Sequence, residues 1–145
     1  MDYAIIAAGE GSRLVQEGVK WPKPLVQLNG TALIDRLINV FLKNDASSIS
    51  IIVNEEMTEV QEHLRKLELP VPFYLLVKST PSSMHSFYEL SHHLDSDHIC
   101  LTTVDTIFKE EEFGGYIQAF LKESQLDGLM AVTDFIDDEK PLYVD

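Results

Sequence analysis

The sequence predicts an α/β protein of three layers, in which a mostly parallel sheet lies between two layers of helices. Short apolar runs alternate with amphipathic segments along the whole chain, which predicts strands and helices in turn. The runs are rich in β-branched and aromatic residues, as is typical of strands covered on both faces. Helices between consecutive strands favour parallel pairing, and 145 residues suit a single domain.

The predicted elements follow in a regular order. The apolar runs predicted as strands are residues 3–8, 49–53, 73–77, 99–104 and 129–133. The clearest helix covers residues 31–44, where Leu33, Leu37 and Phe41 belong to one apolar stripe. The other predicted helices cover about 55–67, about 83–94 with Phe87, Leu90 and Leu94 on one face, and a segment around Tyr116, Ile117, Phe120 and Leu121.

The net charge argues against binding to the phosphates of nucleic acid, and we expect no nucleic-acid partner. The net charge is −13 and the chain has 11 Lys and Arg residues, whereas such binding needs clustered cations. No apolar run has the length of a membrane span, and the first residues lack the basic region of a signal peptide. We therefore expect a cytoplasmic protein with no membrane partner. The single cysteine, Cys100, is predicted to be a buried small apolar residue.

The predicted fold indicates where a ligand would bind. In open α/β sheets, ligands bind beyond the carboxyl ends of the strands, where the strand order reverses. The segments that follow the predicted strands are residues 9–24, 54–56, 78–83 and 105–108. We therefore expect the functional residues in these segments.

The first of these segments begins with a glycine loop, Ala7-Ala8-Gly9-Glu10-Gly11-Ser12-Arg13-Leu14. Glycines permit a positive φ and remove the Cβ, so successive main-chain N–H groups can surround an anion. A dinucleotide-binding loop would need a third glycine where Leu14 stands, and a P-loop would need Gly-Lys-Ser/Thr. Neither pattern fits, although a phosphate ligand agrees with the basic residues Arg13, Lys20 and Lys23 in an otherwise acidic chain.

The loop followed by Trp21-Pro22-Lys23-Pro24-Leu25 resembles the signature of nucleotidyltransferases, the nucleotide-sugar pyrophosphorylases and their relatives. The resemblance implies a Rossmann-like fold of the nucleotidyltransferase type and Mg²⁺ as the cofactor. It also implies two partners, a nucleoside triphosphate and a phosphorylated small-molecule acceptor. The reaction would join a nucleotidyl group to the acceptor and release pyrophosphate.

Two cations are predicted to be catalytic, because the two reactants are strongly anionic. Arg13 suits the leaving pyrophosphate and Lys23 suits the α-phosphoryl oxygens. Pro22 and Pro24 predict that Lys23 is extended and held away from the loop. Each cation alone could be an ordinary surface charge, and Lys20 could contact substrate or only solvent.

The remaining site predictions concern the nucleotide and the metal. Ala7, Ala8, Gly9, Gly11 and Ser12 are predicted to bind the nucleotide through the loop. Ser82 and Ser83 could bind the base or cap a helix, although the glycine and glutamine usual in the family are missing here. Asp105 ends a predicted strand and resembles the metal-binding aspartate of the family, with Val104 where many members have glycine.

The resemblance implies one nucleotidyltransferase-like domain over residues 1–145, truncated on its acceptor-binding side. Three functions stay open. The first is transfer of a nucleotide to a sugar phosphate, and the second is cytidylyl transfer to an alcohol phosphate such as phosphocholine. The third is a non-catalytic regulatory module that binds nucleotide. The oligomeric state is not predicted.

Overall fold

The computed structural model describes residues 1–9 and 18–134. The chain divides into two compact units, residues 1–107 and residues 108–145. In the first unit the strands are β1 (Asp2–Ile6), β2 (Gln27–Leu28), β3 (Thr31–Ala32), β4 (Ser48–Val53), β5 (Phe73–Val77) and β6 (Ile99–Thr103). Its helices are α1 (Leu33–Lys43), α2 (Thr58–Arg65) and α3 (Ser83–Ser91).

A parallel sheet forms the centre of the first unit. Within the described ranges its strand order is β5-β4-β1-β6, and every pairing in it is parallel. The central strands β1 and β4 are buried along their whole length. Four of the predicted strands and the predicted parallel pairing are therefore confirmed, and no strand end differs by more than two residues.

Helices cover the two faces of this sheet. Successive residues of a strand point to opposite faces, and Tyr3 of β1 stacks on Phe41 of α1 with ring centroids 4.4 Å apart. On the other face, Ala4 packs with Leu90 of α3, beside Phe87. The predicted three-layer, Rossmann-like architecture is confirmed.

A small hairpin, β2–β3, precedes α1 and was not predicted. Its turn residues, Asn29 and Gly30, both have positive φ, 52° and 81°, as a type I′ turn requires. The Asn-Gly dipeptide is a strong hairpin signal, and it was present in the sequence. The amide of Leu33 then donates to the Val26 carbonyl oxygen at 2.9 Å, which joins the hairpin to the start of α1.

The second unit contains α4 (Glu110–Lys122), which confirms the fourth predicted helix. Phe113 and Ile117 of this helix are buried, and Phe113 stacks on Phe108. The predicted strand at residues 129–133 is wrong, because this segment is irregular and exposed. An apolar run becomes a strand only when a neighbouring strand pairs with it, and none pairs with residues 129–133 in the part of the chain that is described.

Two further predictions concern single features of the chain. Cys100 is buried, as predicted, and burial raises the pKa of its thiol to about 11. No helix within residues 1–9 and 18–134 is both long and apolar enough to cross a lipid bilayer.

Candidate functional site

A cleft lies where the strand order of the sheet reverses. From β1 the chain fills one side of the sheet with β4 and β5, and then returns through α3 to place β6 on the other side of β1. The carboxyl ends of β1 and β6 therefore diverge into a crevice, which is the usual ligand site of such sheets. The cleft has a volume of about 120 Å³ and is lined by Ile6, Ala7, Gly9, Lys23, Pro24, Ser83, Thr103, Val104 and Asp105.

The main chain after β1 forms one wall of this cleft. The amide of Ala7 donates to the Ile52 carbonyl oxygen at 2.9 Å, and the Ile6 carbonyl oxygen accepts from the Val104 amide at 3.3 Å. Gly9 follows and lines the cleft. Its φ is outside the left-handed region, and among the described residues no atom lies within 4 Å of the position that a Cβ would take. The absence of a side chain therefore leaves the backbone open to a ligand.

Lys23 lies in a single 3₁₀ turn, Lys23–Leu25, so the predicted extended conformation is wrong. The amide of Leu25 donates to the Pro22 carbonyl oxygen at 2.9 Å, and the amide of Val26 donates to the Lys23 carbonyl oxygen at 3.2 Å. Pro24, the middle residue of this turn, is buried. These contacts outweigh the bias of a residue that precedes proline towards extended backbone. The side chain of Lys23 nevertheless faces the cleft.

Lys23 and Asp105 meet inside the cleft. The Lys23 Nζ donates to the Asp105 Oδ2 at 2.6 Å, and the two side chains keep 32% and 46% of their exposure. Both groups therefore remain accessible from solvent. The topology thus brings a cation that follows β1 against a carboxylate that follows β6.

The charge state of Asp105 reflects this pairing. Partial burial would raise the pKa of its carboxyl, but hydrogen bonds from Lys23 and Thr103, with the charge of Lys23, lower the pKa below its ordinary value. Thr103 also shares a 3.0 Å hydrogen bond with the hydroxyl of Thr106. The carboxylate is therefore ionised at neutral pH, with hydroxyl groups beside it.

The amino end of α3 contributes Ser83 to the same cleft. Ser82 is the N-cap, and its Oγ accepts from the His85 amide at 3.4 Å and contacts the His85 Nδ1 at 2.8 Å. The Thr80 hydroxyl contacts the Ser86 Oγ at 2.6 Å and ties the preceding loop to the helix. Ser82 therefore caps α3, which is one of the two roles that the sequence left open for it.

The structure brings five predicted site residues to one cleft, namely Ala7, Gly9, Lys23, Ser83 and Asp105. Ala8 and Ser82 are the chain neighbours of Gly9 and Ser83. Gly11, Ser12 and Arg13 lie outside the described residues.

Asn54, which follows β4 directly, was not predicted as a site residue. Its side chain is buried, and its Nδ2 donates to the carbonyl oxygen of Ala8 at 3.2 Å. Residues 54–56 were among the segments expected to hold functional residues, but no role was assigned to this amide. A polar side chain directly after the apolar end of the strand, Ile51-Ile52-Val53, was the available signal.

The family of the chain is shown by its sequence. The MobA-like NTP transferase domain matches residues 3–144. The chain is 28% identical to the bifunctional protein GlmU of Thermodesulfovibrio yellowstonii, over 99% of this chain and 30% of the relative. It is also 28% identical to a 2-aminoethylphosphonate cytidylyltransferase of Lancefieldella rimae, over 74% of this chain and 44% of the relative. The chain thus spans less than half the length of each relative.

Solved structures agree on the fold. The inositol-1-phosphate CTP transferase of T. maritima superposes with a TM-score of 0.63 at 20% identity, over 75% of this chain and 45% of that one. The CTP:phosphocholine cytidylyltransferase of Streptococcus pneumoniae superposes with a TM-score of 0.55 at 23% identity, over 76% and 49%. At these identities the likeness supports the fold alone, whereas the match over residues 3–144 covers nearly the whole chain. The chain therefore belongs to the MobA-like NTP transferase domain family.

Proposed function

We propose that this protein transfers a nucleotidyl group from a nucleoside triphosphate to a sugar phosphate and releases pyrophosphate. The observation that carries the proposal is the pairing of Lys23 with Asp105, 2.6 Å apart, in the cleft beside Gly9. A cation for phosphate, a carboxylate for a metal and an open main chain are the groups that this reaction needs.

The reaction would proceed by in-line displacement. An oxygen of the acceptor phosphate attacks the α-phosphorus, a new P–O bond forms, and the bond from the α-phosphorus to the β-phosphate oxygen breaks as pyrophosphate leaves. Lys23 would neutralise charge on the α-phosphoryl oxygens. Arg13, predicted from the sequence, would bind the leaving pyrophosphate. The main chain at Ala7 to Gly9 and the amino end of α3 at Ser83 would bind the nucleotide.

The residues present fit a Mg²⁺ ion that is shared with the substrate. Mg²⁺ usually keeps one or two protein carboxylates and takes its other ligands from water and phosphate. Asp105 supplies one ionised carboxylate at the cleft. No group of three His, Cys, Asp or Glu side chains suited to a metal occurs among the described residues, so the triphosphate would complete the shell. When bound, the metal would withdraw charge from the phosphates.

A second candidate is cytidylyl transfer to an alcohol phosphate or a phosphonate. Relatives and structural neighbours whose names specify cytidylyl transfer or CTP support it, namely those for 2-aminoethylphosphonate, inositol 1-phosphate and phosphocholine. The two candidates use the same cleft and differ in base and acceptor. A single panel of substrates therefore separates them.

The test is pyrophosphate release by the purified protein with Mg²⁺. Each of ATP, CTP, GTP and UTP is combined in turn with glucose 1-phosphate, N-acetylglucosamine 1-phosphate, inositol 1-phosphate, phosphocholine and 2-aminoethylphosphonate. We expect turnover with one base and one acceptor class, and a fall of about 10²–10³-fold for Lys23→Ala, as for other preorganised catalytic donors. Turnover with CTP and an alcohol phosphate or phosphonate would favour the second candidate.

Lys66→Ala is the matched control. Lys66 is an exposed lysine that directly follows α2, and α2 returns the chain to the amino edge of the sheet, where β5 begins. This variant should keep full activity. Nucleotide binding without turnover would instead support the non-catalytic regulatory module, and the absence of binding to any triphosphate would contradict both kinds of function.

A further inference from the structure

We propose that Asn54 is a positioning residue that fixes the main chain at Ala8 and Gly9 for nucleotide binding. The inference deepens the proposed function and rests on it. Asn54 directly follows β4, the neighbour of β1 away from the cleft, and it is not among the residues that line the cleft. It would therefore act through the backbone of the loop and would not touch the nucleotide itself.

Both polar atoms of the Asn54 side chain are engaged, and the residue is only 8% exposed. Its Nδ2 donates to the Ala8 carbonyl oxygen at 3.2 Å. Its Oδ1 accepts from the amides of Glu56 and Met57, each at 3.0 Å. One amide group thus spans the gap between the chain leaving β1 and the chain leaving β4.

The loop after β4 is itself held in place. Gln61 of α2 is buried, and its Nε2 donates to the carbonyl oxygens of Asn54 and Glu55, each at 3.1 Å. The amide of Glu55 donates to the hydroxyl of Ser79, after β5, at 3.2 Å. Asn54 therefore links Ala8 to a loop that is itself held by hydrogen bonds. Together these bonds connect the ends of three neighbouring strands, β1, β4 and β5.

The contact lies where the sheet can no longer hold the β1 segment. The amide of Ala7 still bonds to the Ile52 carbonyl oxygen, but Ala8 is already beyond the strand. The Asn54 side chain adds one more hydrogen bond between the β1 and β4 segments, beyond the main-chain bond at Ala7. The peptide that it holds is the one that joins Ala8 to Gly9, so the bond orients the Gly9 N–H beside the cleft.

The test uses substitutions that separate the two ends of the amide. Asn54→Asp keeps the acceptor for Glu56 and Met57 but loses the donor to Ala8. Asn54→Ala is neutral and loses both. We expect each variant to raise the Kd of the Mg²⁺-bound triphosphate by about 10-fold, the order of one lost hydrogen bond, and to raise KM more than it lowers kcat. A loss with Asp alone would indicate charge repulsion and overturn the proposal.

Asn44→Asp is the matched structural control. The Asn44 Nδ2 also donates to a main-chain carbonyl oxygen, that of Val40, at 2.8 Å, but at the end of α1. Asn44→Asp should lower the free energy of unfolding by about as much as Asn54→Asp does, and it should leave the Kd of the Mg²⁺-bound triphosphate unchanged. If Asn54→Asp lowered stability without raising the Kd, Asn54 would be structural only.

The ¹⁵N relaxation order parameter of the Gly9 amide in the nucleotide-free protein separates this inference from the proposed function. It should fall in both Asn54 variants and stay unchanged in Asn44→Asp. An unchanged order parameter at Gly9 in the Asn54 variants would overturn the positioning of the loop by Asn54, whatever the protein binds. A lower order parameter in the Asn54 variants, together with a wild type that binds no triphosphate, would instead contradict the proposed function and leave the link between Asn54 and the loop established.

Discussion

The Lys23 Nζ donates to the Asp105 Oδ2 at 2.6 Å, across 82 residues of sequence. In the absence of ligands these two groups neutralise each other in the cleft. A triphosphate would compete for the lysine and a metal ion would compete for the carboxylate. Binding of each ligand would therefore raise the affinity for the other. The pair is half-exposed, which allows it to separate without burying either charge.

Metal binding in the absence of nucleotide is the first prediction from this pair. We expect Lys23→Ala to bind Mn²⁺ alone about five-fold or more tightly than the wild type does, because the ammonium no longer competes for Asp105. The same variant should bind triphosphate more weakly. Electron paramagnetic resonance of free Mn²⁺ measures the first effect and calorimetry the second.

Two comparisons make this result specific. Asp105→Asn should lose the Mn²⁺ site, and Lys66→Ala should match the wild type. Equal or weaker Mn²⁺ binding by Lys23→Ala would mean that Lys23 does not compete with a metal ion for Asp105.

The aromatic stack between α1 and the sheet should dominate the stability of the first unit. Tyr3 and Phe41 are fully buried, and the Tyr3 hydroxyl donates to the Asn44 carbonyl oxygen at 2.8 Å. Phe41→Ala should lower the free energy of unfolding by about 3–5 kcal/mol through the cavity it leaves. Tyr3→Phe should lower it by about 1 kcal/mol. Urea denaturation measures both, and similar losses for the two variants would contradict this packing.

The same glycine substitution should have opposite effects at two positions. Gly30 has a φ of +81° in the hairpin turn, whereas Gly115 lies inside α4, and a Cβ would meet no atom within 4 Å at either. Gly30→Ala should destabilise by about 1–2 kcal/mol. Gly115→Ala should stabilise by about 0.5–1 kcal/mol. Thermal unfolding tests the difference in sign, and a stabilising Gly30→Ala would exclude the type I′ turn.

The reactivity of Cys100 should depend on pH in a shifted range. Burial raises the pKa of its thiol to about 11 from 9.0, so the folded protein keeps the proton that the unfolded chain releases above pH 9. This difference stabilises the fold fully below pH 9, and the stabilisation falls as the pH rises towards 11. Alkylation by iodoacetamide should be slow at pH 8 in buffer and fast in urea. Equal rates would show an accessible thiol.

The core elements could be predicted because burial leaves a direct trace in the sequence. Strand β4 is buried on both faces and is correspondingly apolar through Ile49, Ile51 and Ile52. The segment 129–133 has a similar composition but no strand beside it in the described structure. Pairing is a property of two segments, so one apolar run cannot reveal whether its partner exists.

The site could be predicted in position but only partly in geometry. The rule that ligands bind at the carboxyl ends of strands located Lys23 and Asp105 separately. Their direct contact joins side chains 82 residues apart, and the 3₁₀ turn at Lys23 places Pro24 in a buried position, so neither could be predicted from the local sequence. Asn54 was missed because its partner, the Ala8 carbonyl oxygen, is 46 residues away and is a main-chain atom. No side-chain pattern marks such a contact.

The proposed function requires that the cleft at the ends of β1 and β6 binds a nucleoside triphosphate. The most direct measurement is amide chemical-shift mapping by NMR during titration with each of the four triphosphates and Mg²⁺. We expect shifts at Ala7, Gly9 and Asp105 that saturate with one triphosphate and disappear in Lys23→Ala, with Lys66 unaffected. Shifts confined to other surfaces, or none with any triphosphate, would contradict it.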